Sequence, residues 1–160
     1  MKDAQQWFDE YAVSHQNTTN KLIHYVCVPA IFFSLIGLIS SIPLITASAS
    51  IPSALFPYAH LGSLVILIGL FFYLRMSFSI FLGMLLLSVA TLWGNQYLDS
   101  NTSVPLWLTS VIIFVLAWIL QFIGHKIEGA KPSFFKDLQF LLIGPAWILG
   151  KLYRSLGIPY

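Results

Sequence analysis

The chain has 160 residues, of which 58% are hydrophobic and 9% are charged. A soluble domain carries about 25% charged residues, so this composition argues against a soluble domain and predicts a single integral membrane domain over residues 1–160. The net charge is +2 without a dense basic stripe, which argues against a nucleic-acid partner, and a single cysteine excludes an internal disulfide.

The chain opens with a polar arm, residues 1–20. Trp7, Phe8 and Tyr11 form an apolar stripe at helical spacing, which predicts a helix lying in the membrane interface with its aromatic rings at headgroup depth. Residues 17–20 are of types that favour helix caps, so we expect a break there and then the start of the next helix.

Four apolar segments follow the arm and predict an all-α, four-span bundle over residues 22–123. The second span is short for a hydrocarbon core of about 30 Å. The tail, 124–160, contains an apolar stretch at 134–149, which we expect to be broken by Gly144-Pro145 and to be interfacial or re-entrant. The four expected spans are 22–42, 60–74, 77–97 and 104–123.

Lysine and arginine occur only in the arm and directly after it at Lys21, at Arg75 between the second and third spans, and in the tail. The other two loops, residues 43–59 and 98–103, contain neither. The positive-inside rule therefore predicts a multi-pass protein with both termini and the Arg75 turn on the cytoplasmic face. Two host membranes, the bacterial inner membrane and the endoplasmic reticulum, stay open.

One group of polar residues at that face contains His15, Asn20 and His24. Asn20 and His24 are four residues apart and share a helix face. His15 and His24 would lie on opposite faces of one continuous helix, so they can converge only through a break between them. Residues 17–20 supply that break.

A second group lies at the end of the fourth span. Gln121, His125 and Glu128 are spaced i, i+4 and i+7, which places them on one stripe at the cytoplasmic face. His60 begins the second span at the opposite face, so topology argues for a structural role there.

Imidazole and carboxylate ligands together suit Fe(II), Zn or Mn. Histidines with one carboxylate and open positions are typical of O₂-activating non-haem iron, and a hydrolytic zinc site has similar spacing. Interfacial histidines also bind headgroups or cap helices without any metal. The residues alone therefore leave open a metal-dependent lipid oxidase or hydrolase and a non-catalytic lipid-binding or scaffold protein.

The two groups form motifs that resemble one known family. His15 to Pro29 reads H-x-N-x-x-N-x-x-x-H-x-x-x-x-P, and residues 121–132 read Q-F-I-G-H-K-x-E-G-x-x-P. Both are similar to signatures of the small membrane proteins related to the fungal 2-hydroxy-palmitate dioxygenase. The resemblance extends over essentially the whole chain in length, order and hydropathy.

The resemblance implies an Fe(II)-dependent dioxygenase of fatty-acid α-oxidation. Its substrates would be a 2-hydroxy fatty acid and O₂, and its product a fatty acid one carbon shorter. We expect Lys126 or Lys131 to pair with the substrate carboxylate. The implied catalytic and metal-binding residues are His15, His24, His125 and Glu128. The expected substrate contacts are Asn20, Gln121, Lys126 and Lys131.

Overall fold

A computed structural model describes residues 3–43, 52–129 and 134–160, with the backbone alone at 134–139. These ranges contain six α-helices and no β-strand, so the predicted all-α class is confirmed. A short 3-10 turn, Phe56–Tyr58, precedes the third helix. In chain order the helices are α1 (Ala4–Ala12), α2 (Thr18–Ser40), α3 (Leu61–Met76), α4 (Phe78–Asn101), α5 (Leu106–Glu128) and α6 (Phe134–Ser155).

Local side-chain chemistry sets the helix boundaries near the site. Asn17 caps α2, because its side-chain oxygen accepts a hydrogen bond from the Thr19 amide at 2.8 Å. The expected break at residues 17–20 is thus present. The last transmembrane helix of the prediction, α5, continues past the predicted end at residue 123 as far as Glu128. Gly129 then ends it in the left-handed conformation, with φ of +74°.

α1 is shorter than the predicted arm helix and packs against α6. Phe8 and Tyr11 are each only 4% exposed. The Phe8 ring lies directly over Gly150 of α6, where the absence of a side chain permits the close approach. Two of the three stripe aromatics are therefore buried against the protein and do not face lipid.

α2, α4 and α5 are each long and apolar enough to cross a membrane. α3 has 16 residues, which corresponds to about 24 Å and falls short of a core of about 30 Å. Three candidate spans are therefore established, and a fourth through α3 stays a prediction. Large side chains such as Leu67, Leu86 and Leu116 are more than half exposed, as expected of a surface that contacts lipid.

α6 runs without interruption from Phe134 to Ser155, so the predicted break at Gly144-Pro145 is wrong. A proline removes one helical hydrogen bond, but membrane helices tolerate this where neighbouring groups satisfy the backbone. The Tyr73 hydroxyl of α3 donates to the Leu142 carbonyl oxygen at 2.7 Å, close to the proline. Packing against the other helices therefore overrides the local signal for a break.

The packing of the helices brings three chain segments together at one end of the bundle. α2 packs most extensively on α5, while α6 contacts α1, α2 and α4. The start of α2, the end of α5 and the connection after α1 consequently meet beside α6. The residues singled out by the two sequence motifs lie in these segments.

Candidate metal centre

Three buried histidines meet where these segments converge. His15 lies in the connection between α1 and α2, His24 in the second turn of α2, and His125 in the last turn of α5. One ligand atom from each lies within 4.8 Å of the other two. Two imidazole nitrogens bound to one ion at about 2.1 Å each are at most about 4.2 Å apart, so small side-chain movements suffice to bring all three onto one ion.

Two of the histidine rings are oriented by the carbonyl four residues before them. His15 Nδ1 is 2.7 Å from the Tyr11 carbonyl oxygen. His24 Nδ1 is 2.9 Å from the Asn20 carbonyl oxygen. Because a carbonyl oxygen can only accept, each Nδ1 carries the proton and each Nε2 keeps its lone pair. His15 Nε2 is buried with no hydrogen-bond partner among the described residues.

The electrostatic environment keeps His15 neutral. The pKa of His15 is lowered to about 4, mainly by burial and also by the nearby rings of His24 and His125, although the hydrogen bond to the Tyr11 carbonyl opposes the shift. The ring is therefore uncharged near pH 7. A neutral imidazole with a buried, unpartnered nitrogen is the form that a metal ion binds.

Glu128 lies outside this group of three and binds the connection that carries His15. One carboxylate oxygen accepts from the Gln16 amide at 2.7 Å. The other accepts from the Asn17 amide at 2.9 Å and from Asn20 Nδ2 at 2.9 Å. These two amides precede the first turn of α2, and the carboxylate satisfies both. Glu128 thus ties the end of α5 to the start of α2.

The four residues expected to contact the substrate do not all lie at the histidines. Asn20 is buried, and Gln121 is buried and lines a cavity beside the histidines. Lys126 is exposed at the end of α5. Lys131 lies outside the described residues.

That cavity has a volume of about 40 Å³. One side is polar and carries the three histidines, Ser14 and Gln121. The rest of its lining is mainly apolar and is formed by Val28, Ile31, Trp118, Phe140 and Leu141. Because a cavity needs about 10–15 Å³ measured in this way to hold one water, the space holds an ion with a few small ligands and not an acyl chain.

Comparison with known proteins identifies the family. The family described as "2-hydroxy-palmitic acid dioxygenase Mpo1-like" matches residues 1–156. The chain belongs to the Mpo1-like family. It is 28% identical over 150 residues to the protein named 2-hydroxy-palmitic acid dioxygenase MPO1 of Saccharomyces cerevisiae, across 92% of this chain and 78% of the relative. No solved structure matches.

The centre of this Mpo1-like protein also contains aromatic residues that the sequence argument did not place there. The Tyr11 ring stacks on His15, with ring centroids 4.2 Å apart and an interplanar angle of 4°. The Trp147 ring is 5.6 Å from His15. The position of Tyr11 four residues before His15 was an available signal, whereas Trp147 reaches the site only through the packing of α6.

His60 is not part of the three-histidine group. Its Nδ1 accepts a hydrogen bond from the Ser63 amide at 3.2 Å and caps α3. The Mpo1-like chain therefore uses this histidine at a helix start, in agreement with the structural role expected of it.

The donor set of the Mpo1-like centre fits a transition-metal ion. The three imidazoles are buried, and two of them bind backbone carbonyls through Nδ1, which leaves Nε2 as the nitrogen for a metal ion. Such hydrogen bonds to the far ring nitrogen are the usual support of metal-binding histidines. Three protein nitrogens leave further coordination positions open to small ligands.

Proposed function

We propose that this protein is an Fe(II)-dependent dioxygenase that shortens 2-hydroxy fatty acids by one carbon. The observation that carries the proposal is the group of three buried histidines in a chain of the Mpo1-like family. The relative from Saccharomyces cerevisiae is named for 2-hydroxy-palmitic acid, which supports a 2-hydroxy fatty acid as the substrate class.

The proposed reaction balances with O₂ as the only oxidant. A 2-hydroxy acid, R–CH(OH)–COOH, and one O₂ give R–COOH, CO₂ and H₂O. The bond between C1 and C2 breaks, four electrons pass to O₂, and no external reductant is required. Bound iron would supply the redox chemistry that lets O₂ react with a closed-shell acid.

The protein's own residues hold the ion and shape the space around it. His15, His24 and His125 would bind the iron, and Glu128 and Asn20 keep His15 beside the other two. The apolar side chains of Ile31 and Trp118 in the cavity lining would limit the access of bulk water to the reacting atoms.

The volume of the cavity restricts how the substrate binds. A space of about 40 Å³ accepts the reacting head of a fatty acid but not its chain. The surrounding helices expose Ile119 and Phe122 by about half, so lipid-facing apolar surface begins next to the site. We therefore place the acyl chain along this surface, where it stays in the membrane.

Metal analysis of the detergent-purified protein tests the centre. We expect stoichiometric iron in the wild type and its loss in His24→Ala and His125→Ala. His60→Asn is the matched control, because asparagine also caps helices and the site is distant. A folded wild-type protein without metal, or variants that retain iron, would contradict the proposed centre.

A zinc-dependent lipid hydrolase is the second candidate, and one observation favours it. With Glu128 outside the group, the donor set is three histidines, which catalytic zinc sites also use. O₂ consumption with 2-hydroxypalmitate separates the two functions. We expect uptake of one O₂ per acid consumed, whereas zinc-containing protein that hydrolyses lipid esters without O₂ uptake would favour the hydrolase.

A further inference from the structure

A second cavity, of about 210 Å³, adjoins the metal centre, and His15 lines both spaces. Three cations line this second cavity: Lys21 at the start of α2, and Lys151 and Arg154 near the end of α6. Asp9 is its one acidic residue. Its lining therefore has a net positive charge. Lys151 and Arg154 lie outside the two motifs, and Lys21 occupies an unspecified position of the first.

Neutral groups orient two of these cations, Lys151 and Arg154. Lys151 Nζ lies 4.1 Å from the centroid of the Trp147 ring, within the range of a cation–π interaction. Arg154 Nη2 donates to Gln5 Oε1 at 3.1 Å and to the Tyr160 hydroxyl at 2.8 Å. Aromatic, amide and hydroxyl partners orient a cation without cancelling its charge.

The acidic residue of the cavity does not neutralise the cations. Asp9 Oδ1 accepts from Gln5 Nε2 at 2.6 Å. Within the described residues, the structure shows no ion pair for Lys151 or Arg154 with a carboxylate. The positive charge therefore remains available to an anion that enters the space.

We propose that this cavity is an oxyanion subsite that takes the carboxylate or phosphate head of an amphiphile. Its lining combines fixed cations with the apolar rings of Phe8 and Trp147, which suits a charged head attached to an alkyl chain. The inference rests on the proposed function, since a 2-hydroxy acid must bring its carboxylate next to the iron. It assigns that carboxylate to Lys151 and Arg154, whereas Lys126 does not line either cavity beside His15.

Binding to chelator-treated protein tests the subsite without any turnover. The ligands are palmitate, hexadecyl phosphate and hexadecanol, each titrated in detergent with Trp fluorescence or a radiolabel as the readout. We expect the double variant Lys151→Gln/Arg154→Gln to bind palmitate about tenfold more weakly or worse, since hydrogen bonds to charged groups contribute strongly. Hexadecanol, which has no anionic head, should bind as it does to the wild type.

Arg75→Gln is the matched control. It removes one positive charge at the α3–α4 turn, where the guanidinium also lies 5.9 Å from an aromatic ring, that of Phe71. The single variant Lys151→Arg keeps the charge and should keep palmitate affinity, which covers the case in which the double variant does not fold. Equal losses for palmitate and hexadecanol, or an equal loss in Arg75→Gln, would overturn the subsite.

The ligands also separate the two sources of the anion. A loss for palmitate supports a substrate carboxylate, whereas a loss for hexadecyl phosphate alone supports a lipid headgroup in the same subsite. Metal content provides the independent check. Weaker palmitate binding with unchanged iron supports the subsite, while an iron-free wild type that still binds palmitate through these cations contradicts the proposed function and leaves the subsite intact.

Discussion

Replacing Glu128 with glutamine should loosen the metal centre without touching a histidine. The carboxylate accepts three hydrogen bonds, two of them from the backbone amides of Gln16 and Asn17. Glutamine keeps one acceptor oxygen and turns an NH₂ group towards donors, so at least one of these bonds is lost and one donor faces another. The connection that carries His15 would then no longer be tied to α5.

The expected magnitude follows from these contacts. A hydrogen bond to a charged group contributes about 1.5–3 kcal/mol, and the half-exposed position of Glu128 places the loss near the lower end. A loss of about 1.5 kcal/mol lowers the melting temperature of a chain of this size by about 3–6 °C. Removing a group that positions a metal ligand commonly lowers metal affinity by about 10–100-fold.

Thermal unfolding in detergent and titration with Co(II) measure the two effects. Asp99→Asn is the matched control, because it removes an exposed carboxylate near the C-terminal end of α4, which is not part of the metal centre. The Co(II) absorption spectrum separates the two roles of Glu128. A weaker but spectrally unchanged site indicates positioning, and an altered spectrum indicates that Glu128 is itself a ligand, as the sequence predicted. Wild-type stability and affinity in Glu128→Gln would refute both.

Two further predictions concern packing and topology. Gly124→Ala should destabilise the protein by about 1–3 kcal/mol and lower its metal content, because the new Cβ would clash with the side-chain amide oxygen of Asn20. Gly69→Ala is the control, since its Cβ would meet no atom closer than 3.8 Å, and it should have neither effect. Equal melting temperatures for the two variants would contradict this. Single cysteines at Ser103 and Ser155, in a background without the native cysteine, should be labelled by an impermeant reagent from opposite sides. Labelling from the same side would contradict the four-span topology.

The convergence of the histidines could be predicted because it depends on topology and one local break. The charge distribution assigned three chain segments to one end of the bundle. The cap at Asn17 then allowed His15 to turn back towards His24. Both signals are short-range or compositional, and so they can be read from one sequence.

The role of Glu128 in the structure could not be predicted in this way. Its spacing from His125 correctly places it on the same stripe, but a carboxylate there can bind either an ion or the free amides at the start of α2. Which of these it meets depends on the path of residues 13–17, a tertiary feature. The uninterrupted course of α6 through Pro145 has the same origin, because α6 packs against helices distant in sequence, one of which contributes the Tyr73 hydroxyl to the Leu142 carbonyl.

His15 stands between the two cavities, and this arrangement relates the two proposals. The smaller cavity is too small for an acyl chain, while the larger one is lined by three cations and suits the charged head of a fatty acid. Cleavage between C1 and C2 requires no more than the head to enter, because both reacting carbons lie next to the carboxylate. A site that recognises the head with cations and leaves the chain in lipid should therefore act on acids of different lengths. Chain-length preference would then depend on the lipid-facing surface near Trp118 and not on the histidines.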